Sequence, residues 1–178
     1  MNKLDDVVSE EPNRCKYEQF FNYKTMLIGV LIFLVGAFVY YANQLVLIIY
    51  PENNQQQVVL KVNKGESFYL EFINSVEKTP IQEYFIVRGT NDLLLQQARY
   101  KSLGVGLPFL ASDGKLHLSG DGRFVLEMDR TFKSIRLRTG IEACPRIFYA
   151  GTGVPLYDLY SPGTLVEIKV DKRYKSWI

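Results

Sequence analysis

The sequence predicts an all-β domain, an immunoglobulin-like β-sandwich, preceded by one N-terminal transmembrane helix. Three observations support this fold class. One uncharged apolar segment lies near the N-terminus, and the rest of the chain alternates short β-branched and aromatic runs with turn residues. After residue 50, no segment has a long helical period. With 178 residues, 47% of them hydrophobic, the chain is long enough for one folded domain with an appendage.

The apolar segment covers residues 25–44 and contains no Asp, Glu, Lys or Arg. Because a helix rises about 1.5 Å per residue, this segment crosses about 30 Å, the thickness of a hydrocarbon core. Tyr40 and Tyr41 lie where interfacial aromatic residues are expected. Gly29 and Gly36 share a helix face that favours contact with another helix. A buried core helix is the alternative, which the uncharged length disfavours.

Basic residues predict the orientation of this helix. Arg14, Lys16 and Lys24 precede it, whereas the first lysine after it is Lys61. The positive-inside bias therefore places the N-terminus in the cytoplasm and the C-terminal part outside the plasma (inner) membrane. No small-x-small cleavage pattern surrounds Ala42, which favours an uncleaved signal anchor. The predicted parts are a cytoplasmic tail (1–24), a transmembrane signal anchor (25–44) and an extracytoplasmic β-sandwich domain (45–178).

Strand candidates in the domain are apolar runs between turn clusters. Within 67–73, for example, Phe68, Leu70 and Phe72 face one way and the residues between them face the other. A turn at 51–54 joins the first two candidates as a hairpin. The candidates are 45–50, 57–62, 67–73, 81–88, 92–100, 116–118, 123–128, 133–138, 146–150, 155–159 and 165–170.

Composition excludes several classes of function. The net charge is +2 and no segment is strongly basic, which predicts no nucleic-acid partner. The chain has two cysteines and one histidine, so we expect no disulfide framework, no metal site and no cofactor. Cys15 and Cys144 fall on opposite sides of the predicted membrane and cannot pair. His117 lies between two leucines on a short strand and is predicted to be structural or exposed.

Two motifs resemble catalytic signatures only in part. Ser75 and Lys78 have the Ser-x-x-Lys spacing of penicillin-recognising enzymes, which need both residues at the start of a helix. Here Pro80 restricts the preceding residue to extended geometry. Gly104 and Gly106 lack the third glycine and the helix of a dinucleotide site, and predict a turn closed by Pro108. We therefore predict that the chain is not an enzyme.

Polar residues gather around the predicted turn at 74–79. Because buried Glu and Arg are rarely tolerated alone, Glu83 and Arg99 are a candidate ion pair across adjacent strands. The cluster is either a loop-stabilising network or a binding edge that faces a partner. The candidate partner-binding residues are Asn74, Ser75, Glu77, Lys78, Pro80, Glu83, Arg99, Lys101, Gly104, Gly106 and Pro108.

Several blocks in this region resemble a known family. They are NSVEKTPIQEYF (74–85), RYKSLGVGLP (99–108), IRLRTG (135–140), PLYDL (155–159) and SPGTLV (161–166). In this order they resemble the domain of unknown function 1850 family, over nearly all of residues 45–170. The family has His at two positions where this chain has Asn74 and Pro145. If those histidines form a metal or proton site, this chain lacks it.

The resemblance implies a role but no activity. Members of the family resemble small anchored or exported proteins that accompany TRAP transporters of the TAXI type. The leading hypothesis is therefore a non-enzymatic accessory or small subunit of such a solute importer. Its helix would contact membrane lipid and transporter helices, and the loops at 74–80 and 101–108 would contact the TRAP membrane subunit or the solute-binding protein. The alternative hypotheses are a stand-alone anchored module for a ligand or envelope component, and an anchored hydrolase that uses Ser75 and Lys78.

Overall fold

A computed structural model describes residues 14–53, 55–102 and 114–177, with side chains from Asn22 onward. Helix α1 covers Arg14–Ala42, so it begins before the predicted membrane segment and ends two residues earlier. Its apolar part, Asn22–Ala42, is long enough and apolar enough to cross a membrane. The prediction of one apolar helix near the N-terminus is therefore confirmed, and this helix fits a membrane anchor or a signal sequence.

The rest of the described chain consists mainly of antiparallel strands. The strands are β1 (Leu45–Pro51), β2 (Val58–Lys61), β3 (Ser67–Ile73), β4 (Pro80–Gly89), β5 (Asp92–Tyr100), β6 (Lys115–Leu118), β7 (Phe124–Phe132), β8 (Ile135–Arg138), β9 (Arg146–Tyr149), β10 (Thr152–Pro155) and β11 (Leu165–Lys172). The short helix α2 (Leu156–Leu159) precedes β11, and one 3₁₀ turn (Arg173–Trp177) follows it.

These strands form two sheets. The smaller sheet has the order β2-β1-β11-β8, and the larger has the order β10-β9-β3-β4-β5-β7-β6. The predicted first hairpin is confirmed, because β1 pairs with β2 from Val46↔Lys61 to Ile49↔Val58. On its other edge β1 pairs with β11 along its whole length. Two separate sheets make the domain a sandwich rather than a closed barrel.

One main core lies between the two sheets. The smaller sheet contributes fully buried side chains such as Leu47 and Ile168, and the larger contributes Phe68, Phe85 and others. The rings of Phe68 and Phe85 stack with their centroids 5.4 Å apart. A second, smaller cluster consists of Ile81, Ala98, Tyr100 and Leu126, all of them on the larger sheet. The predicted all-β sandwich fold is thus confirmed.

Most predicted strands match the structure to within a few residues, but the one at 155–159 is wrong. Strand β10 ends at Pro155, and α2 follows, with the Tyr160 N–H bonded to the Leu156 oxygen. Leu156 and Tyr160 are both buried, because their spacing of four places them on one helical face. The preceding hairpin turns through Ala150 and Gly151, which both have positive φ, as a type I′ turn requires.

Candidate functional site

A cleft forms because the two sheets differ in width. The smaller sheet ends at β8, whereas the larger sheet continues through β5, β7 and β6. The inner face of the larger sheet is therefore open beside β8, over a cavity of about 480 Å³. A second cavity of about 270 Å³ also borders β8 and shares Phe72, Glu83, Ile135 and Arg136 with the first. We call the two together the Glu83 cleft.

The walls of the Glu83 cleft are mostly apolar. Alternation along β4 turns Ile81, Glu83 and Phe85 to the same inner face. On the neighbouring strand, Ala98 lies directly opposite Glu83. Among the described residues that line the cleft, Glu83 contributes the only carboxyl group. Other apolar lining residues are Phe72, Leu95, Met128, Phe132 and Ile135.

The Glu83 carboxyl group has no partner among the described residues. No hydrogen bond or ion pair joins it to another described residue, and burial alone raises its pKa above the ordinary value. Arg130 and Arg136 line the same cleft, and Asn74 and Ser134 add small polar groups. An apolar concavity with a few polar groups is the usual form of a binding site. A carboxyl in that setting accepts a hydrogen bond from an occupant, or donates one when protonated.

The predicted ion pair between Glu83 and Arg99 is wrong. The register places Arg99 opposite Gln82, so the two side chains lie on opposite faces of the sheet. The Arg99 guanidinium instead lies over the Tyr84 ring, 4.8 Å from its centroid. The Tyr84 ring in turn stacks on Tyr69, and this row of side chains stabilises the outer face.

Asn74 organises the turn that precedes β4. Its side-chain oxygen accepts hydrogen bonds from the N–H groups of Val76 (2.8 Å) and Glu77 (3.1 Å). Its backbone closes the turn by bonding to Lys78 and Thr79. Lys78 takes a left-handed conformation with φ of 52°. The polar residues predicted at this turn therefore do stabilise the loop, and Asn74 also borders the Glu83 cleft.

A second turn lies beside the first, and we call the turns at 74–79 and 140–144 the turn surface. The Ile73 N–H bonds to the Ala143 oxygen, and the Lys78 ammonium lies 3.5 Å from the Glu142 carboxylate. Val76 and Ile141 are 62% and 70% exposed on this surface. Two apolar side chains are therefore open to solvent on turns that Lys78 and Glu142 connect.

The remaining predicted site residues have different environments. Ser75 and Lys101 are exposed, Pro80 begins β4, and Glu77 accepts a hydrogen bond from Ser102 at 3.3 Å. Ser75 and Lys78 lie in a turn between strands and not at the start of a helix. Residues Gly104, Gly106 and Pro108 lie outside the described residues.

The structure thus brings the 74–80 turn and the chain at 101–102 together through the hydrogen bond from Ser102 to Glu77. Asn74 of the same turn borders the cleft that contains Glu83, whereas Arg99 lies on the opposite face of the sheet. Sequence reasoning missed Ser134 and Ile135, which line the cleft from the start of β8. No local signal marks them, since their role depends on which strand ends the smaller sheet. Glu83 could be recognised from the sequence, because it occupies a position of β4 at which alternation predicts an apolar residue.

Side chains that often bind metals are dispersed in the structure. Over residues 14–53, 55–102 and 114–177, no group of three His, Cys, Asp or Glu residues is placed to hold a metal ion. His117 is exposed on β6. Cys144 is a half-buried free thiol that donates a hydrogen bond to the Ile141 oxygen at 2.8 Å.

Fold and site together define a class: a β-sandwich with an open inter-sheet cleft, preceded by an apolar helix. The chain belongs to the family described as Domain of unknown function (DUF1850), whose sequence profile matches residues 68–156. No curated protein and no solved structure matches the chain significantly. The matched region contains Glu83, Asn74 and Pro145, which all border the Glu83 cleft.

Proposed function

We propose that this protein is a non-enzymatic binding module that is anchored by α1 in the plasma (inner) membrane. Its N-terminus lies in the cytoplasm, and its β-sandwich presents the Glu83 cleft outside. The observation that carries this proposal is the cleft itself, an apolar concavity with one unpartnered carboxyl group. Such a carboxyl costs stability unless an occupant satisfies it, so its presence favours a ligand.

A second candidate function is that of an accessory subunit of a TAXI-type TRAP importer. The turn surface favours it, because Val76 and Ile141 expose apolar side chains on turns that Lys78 and Glu142 connect. In this proposal the turn surface contacts the membrane subunit or the solute-binding protein of the transporter. Cross-links from Lys78 or Lys101 to a polytopic transporter subunit would support it.

Cysteine protection in native membranes distinguishes the two candidates. The full chain carries Cys15→Ser and Cys144→Ser, together with Ser134→Cys in the cleft or Ser75→Cys on the turn surface. A membrane-impermeant maleimide reports how fast each new thiol reacts in native membranes and in the purified chain. A ligand in the cleft slows the reaction at position 134 in native membranes but leaves position 75 unchanged.

The opposite pattern, with protection at 75 alone, supports the accessory role and overturns the cleft proposal. Equal rates in native membranes and in the purified chain at both positions overturn both candidates. Because the reagent does not cross membranes, labelling of intact cells also checks the proposed orientation. Failure to label either thiol until the membrane is opened would contradict an extracytoplasmic domain.

A further inference from the structure

We infer that the Glu83 cleft receives an extended peptide segment of a partner protein, which pairs with β8 as an additional strand of the smaller sheet. This inference rests on the proposed function and names the kind of molecule that the cleft binds. It depends on the open edge of β8, on the backbone groups along that edge, and on the charges beside it.

The cleft lies where a fifth strand of the smaller sheet would be. Strand β8 is at the end of that sheet, and its partner among the described residues is β11 alone. Opposite the open side of β8, the larger sheet presents Ile81, Ala98 and Met128 to the cleft. No strand of the part of the chain that the structure describes covers this place, so the described sandwich leaves apolar surface open there. An added strand would bury that surface.

The backbone of β8 is oriented to accept such a strand. The Thr139 N–H bonds to the Thr164 oxygen at 2.9 Å, and Leu137 pairs with Val166. Backbone groups alternate in direction along an antiparallel strand. Leu137 therefore faces β11, whereas the N–H and C=O groups of Arg136 and Arg138 face the open edge. Open edges of this kind bind peptides by strand addition.

The side chains along β8 indicate the composition of the partner. Ile135 and Leu137 pack against the main core, and the exposed Arg136 and Arg138 alternate with them at the rim of the cleft. Arg136 lies 3.8 Å from the Glu167 carboxylate of β11, and Arg138 donates a hydrogen bond to the Gly163 oxygen. Directly opposite residues in adjacent strands favour opposite charges. A segment that alternates acidic with apolar residues would place its acidic side chains beside these arginines and its apolar side chains in the cleft, where one Thr among the apolar positions would donate a hydrogen bond to the Glu83 carboxyl.

Charge also disfavours a second copy of this chain as the occupant. If two copies paired through β8, each would place Arg136 or Arg138 near an arginine of the other. Like charges at this distance destabilise the pairing, which is a common protection of exposed edges. The edge is therefore selective for a different, acidic segment.

Peptide binding to the full chain in nanodiscs tests the inference. The probe is a fluorescein-labelled peptide in which Val and Glu alternate, with Thr in place of the central Val, and the readout is fluorescence anisotropy against empty nanodiscs. A peptide of alternating Val and Lys is the charge control. We expect saturable binding of the Val/Glu peptide and at least about tenfold weaker binding of the Val/Lys peptide, because two arginines flank the site.

A proline variant tests the strand pairing itself. Arg136→Pro removes an N–H that faces the open edge and leaves the β8–β11 bonds intact, which proline tolerates on an edge strand. Arg136→Gln is the matched control, because it loses the same charge but keeps the N–H. We expect binding to weaken about fivefold or more in Arg136→Pro relative to Arg136→Gln, as the loss of a backbone hydrogen bond implies. Equal binding by the two variants overturns strand pairing.

A modified peptide gives the same information if Arg136→Pro does not fold. N-methylation of alternate amides of the Val/Glu peptide removes its donors on one edge only. We expect one methylation pattern to abolish binding and the other to preserve it; equal binding of both patterns overturns the inference. If neither unmodified peptide binds while position 134 is still protected in native membranes, the inference fails but the binding function stands.

Discussion

Glu83 shows how one side chain gives the cleft its chemistry. Its neighbours on the same face of β4, Ile81 and Phe85, are both buried, so the carboxyl stands where an apolar residue would pack. No hydrogen bond or ion pair joins it to a described residue, and burial raises its pKa. A group in this state is costly for folding, and the cost is the physical reason to expect an occupant.

The raised pKa of Glu83 predicts a specific dependence of stability on pH. The folded protein keeps the Glu83 proton to higher pH than the unfolded chain does. The contribution of this proton to the free energy of unfolding is therefore fully present below the pKa of the unfolded chain. Stability is then lost as pH rises through the folded pKa.

We therefore expect Glu83→Gln to unfold at higher denaturant concentration than the natural chain near pH 7, and at nearly the same concentration near pH 4. Denaturant unfolding of the full chain at both pH values measures the difference. Glu127→Gln, on an exposed position of β7, is the matched control and should show no such difference. A Glu83→Gln chain whose stability relative to the natural chain is the same at both pH values would contradict a raised pKa of Glu83.

Asn74 supplies a second prediction, for the turn before β4. Asn74→Ala removes the acceptor for the N–H groups of Val76 and Glu77, which should destabilise the fold by about 1 kcal/mol. Ser75→Ala is the control, since Ser75 is exposed, and it should stay within about 0.5 kcal/mol. Chemical unfolding of the full chain measures both. Equal effects would mean that the side-chain oxygen of Asn74 does not hold the turn.

At the scale of elements, the alternation of apolar and polar residues predicts a strand well when one face of the strand is buried and the other is more exposed. Strand β3 was predicted to the residue, because Phe68, Leu70 and Phe72 alternate with more exposed side chains. Strand β10 was missed, because its hairpin turns through Ala150 and Gly151 without the usual Asn-Gly or Asp-Gly pair.

The candidate site was predictable only in part, because a cleft depends on sheet order. Glu83 and Asn74 were singled out by residue type and context, and both do border the cleft. Arg99 was assigned to the wrong face, since the register of β4 against β5 is not encoded in either strand alone. The contribution of β8 follows from its place at the end of the smaller sheet, which no local pattern reveals.

Helix α1 carries the prediction of membrane anchoring. Leu34→Arg introduces a charge near the centre of its apolar part, at a cost of about 2.5–3.5 kcal/mol for insertion. We expect this variant to be lost from the membrane fraction after carbonate extraction. Leu118→Arg, at an exposed position of β6, is the control and should remain. Retention of Leu34→Arg to the same extent would argue against a membrane-spanning α1.

At the scale of the whole domain, the two hydrophobic clusters have different surroundings. Leu47 lies in the main core between the sheets, whereas Leu126 lies in the smaller cluster, beside residues that line the open cleft. Both side chains are fully buried. The main core is covered on both sides, so a cavity made there cannot collapse easily.

We expect Leu47→Ala to reduce the free energy of unfolding by about 4–5 kcal/mol and Leu126→Ala by about 2–3 kcal/mol. The smaller loss reflects the open cleft, into which neighbours of Leu126 can rearrange. The two variants remove the same atoms, so they control for each other in denaturant unfolding. Equal losses would indicate that the wall of the cleft is as rigid as the main core.

The pairing of β1 with β11 has a consequence for how the domain forms. The first and last strands in chain order lie side by side, from Leu45↔Lys172 to Pro51↔Val166. During synthesis β1 leaves the ribosome long before β11. Until β11 is made, β2 is the only one of its two neighbouring strands with which β1 can pair. Contacts between residues so distant in sequence form slowly, because a long loop must close first. The sandwich therefore completes its folding only after synthesis has passed β11, and until then the strand that follows α1 in the chain is exposed to chaperones and proteases.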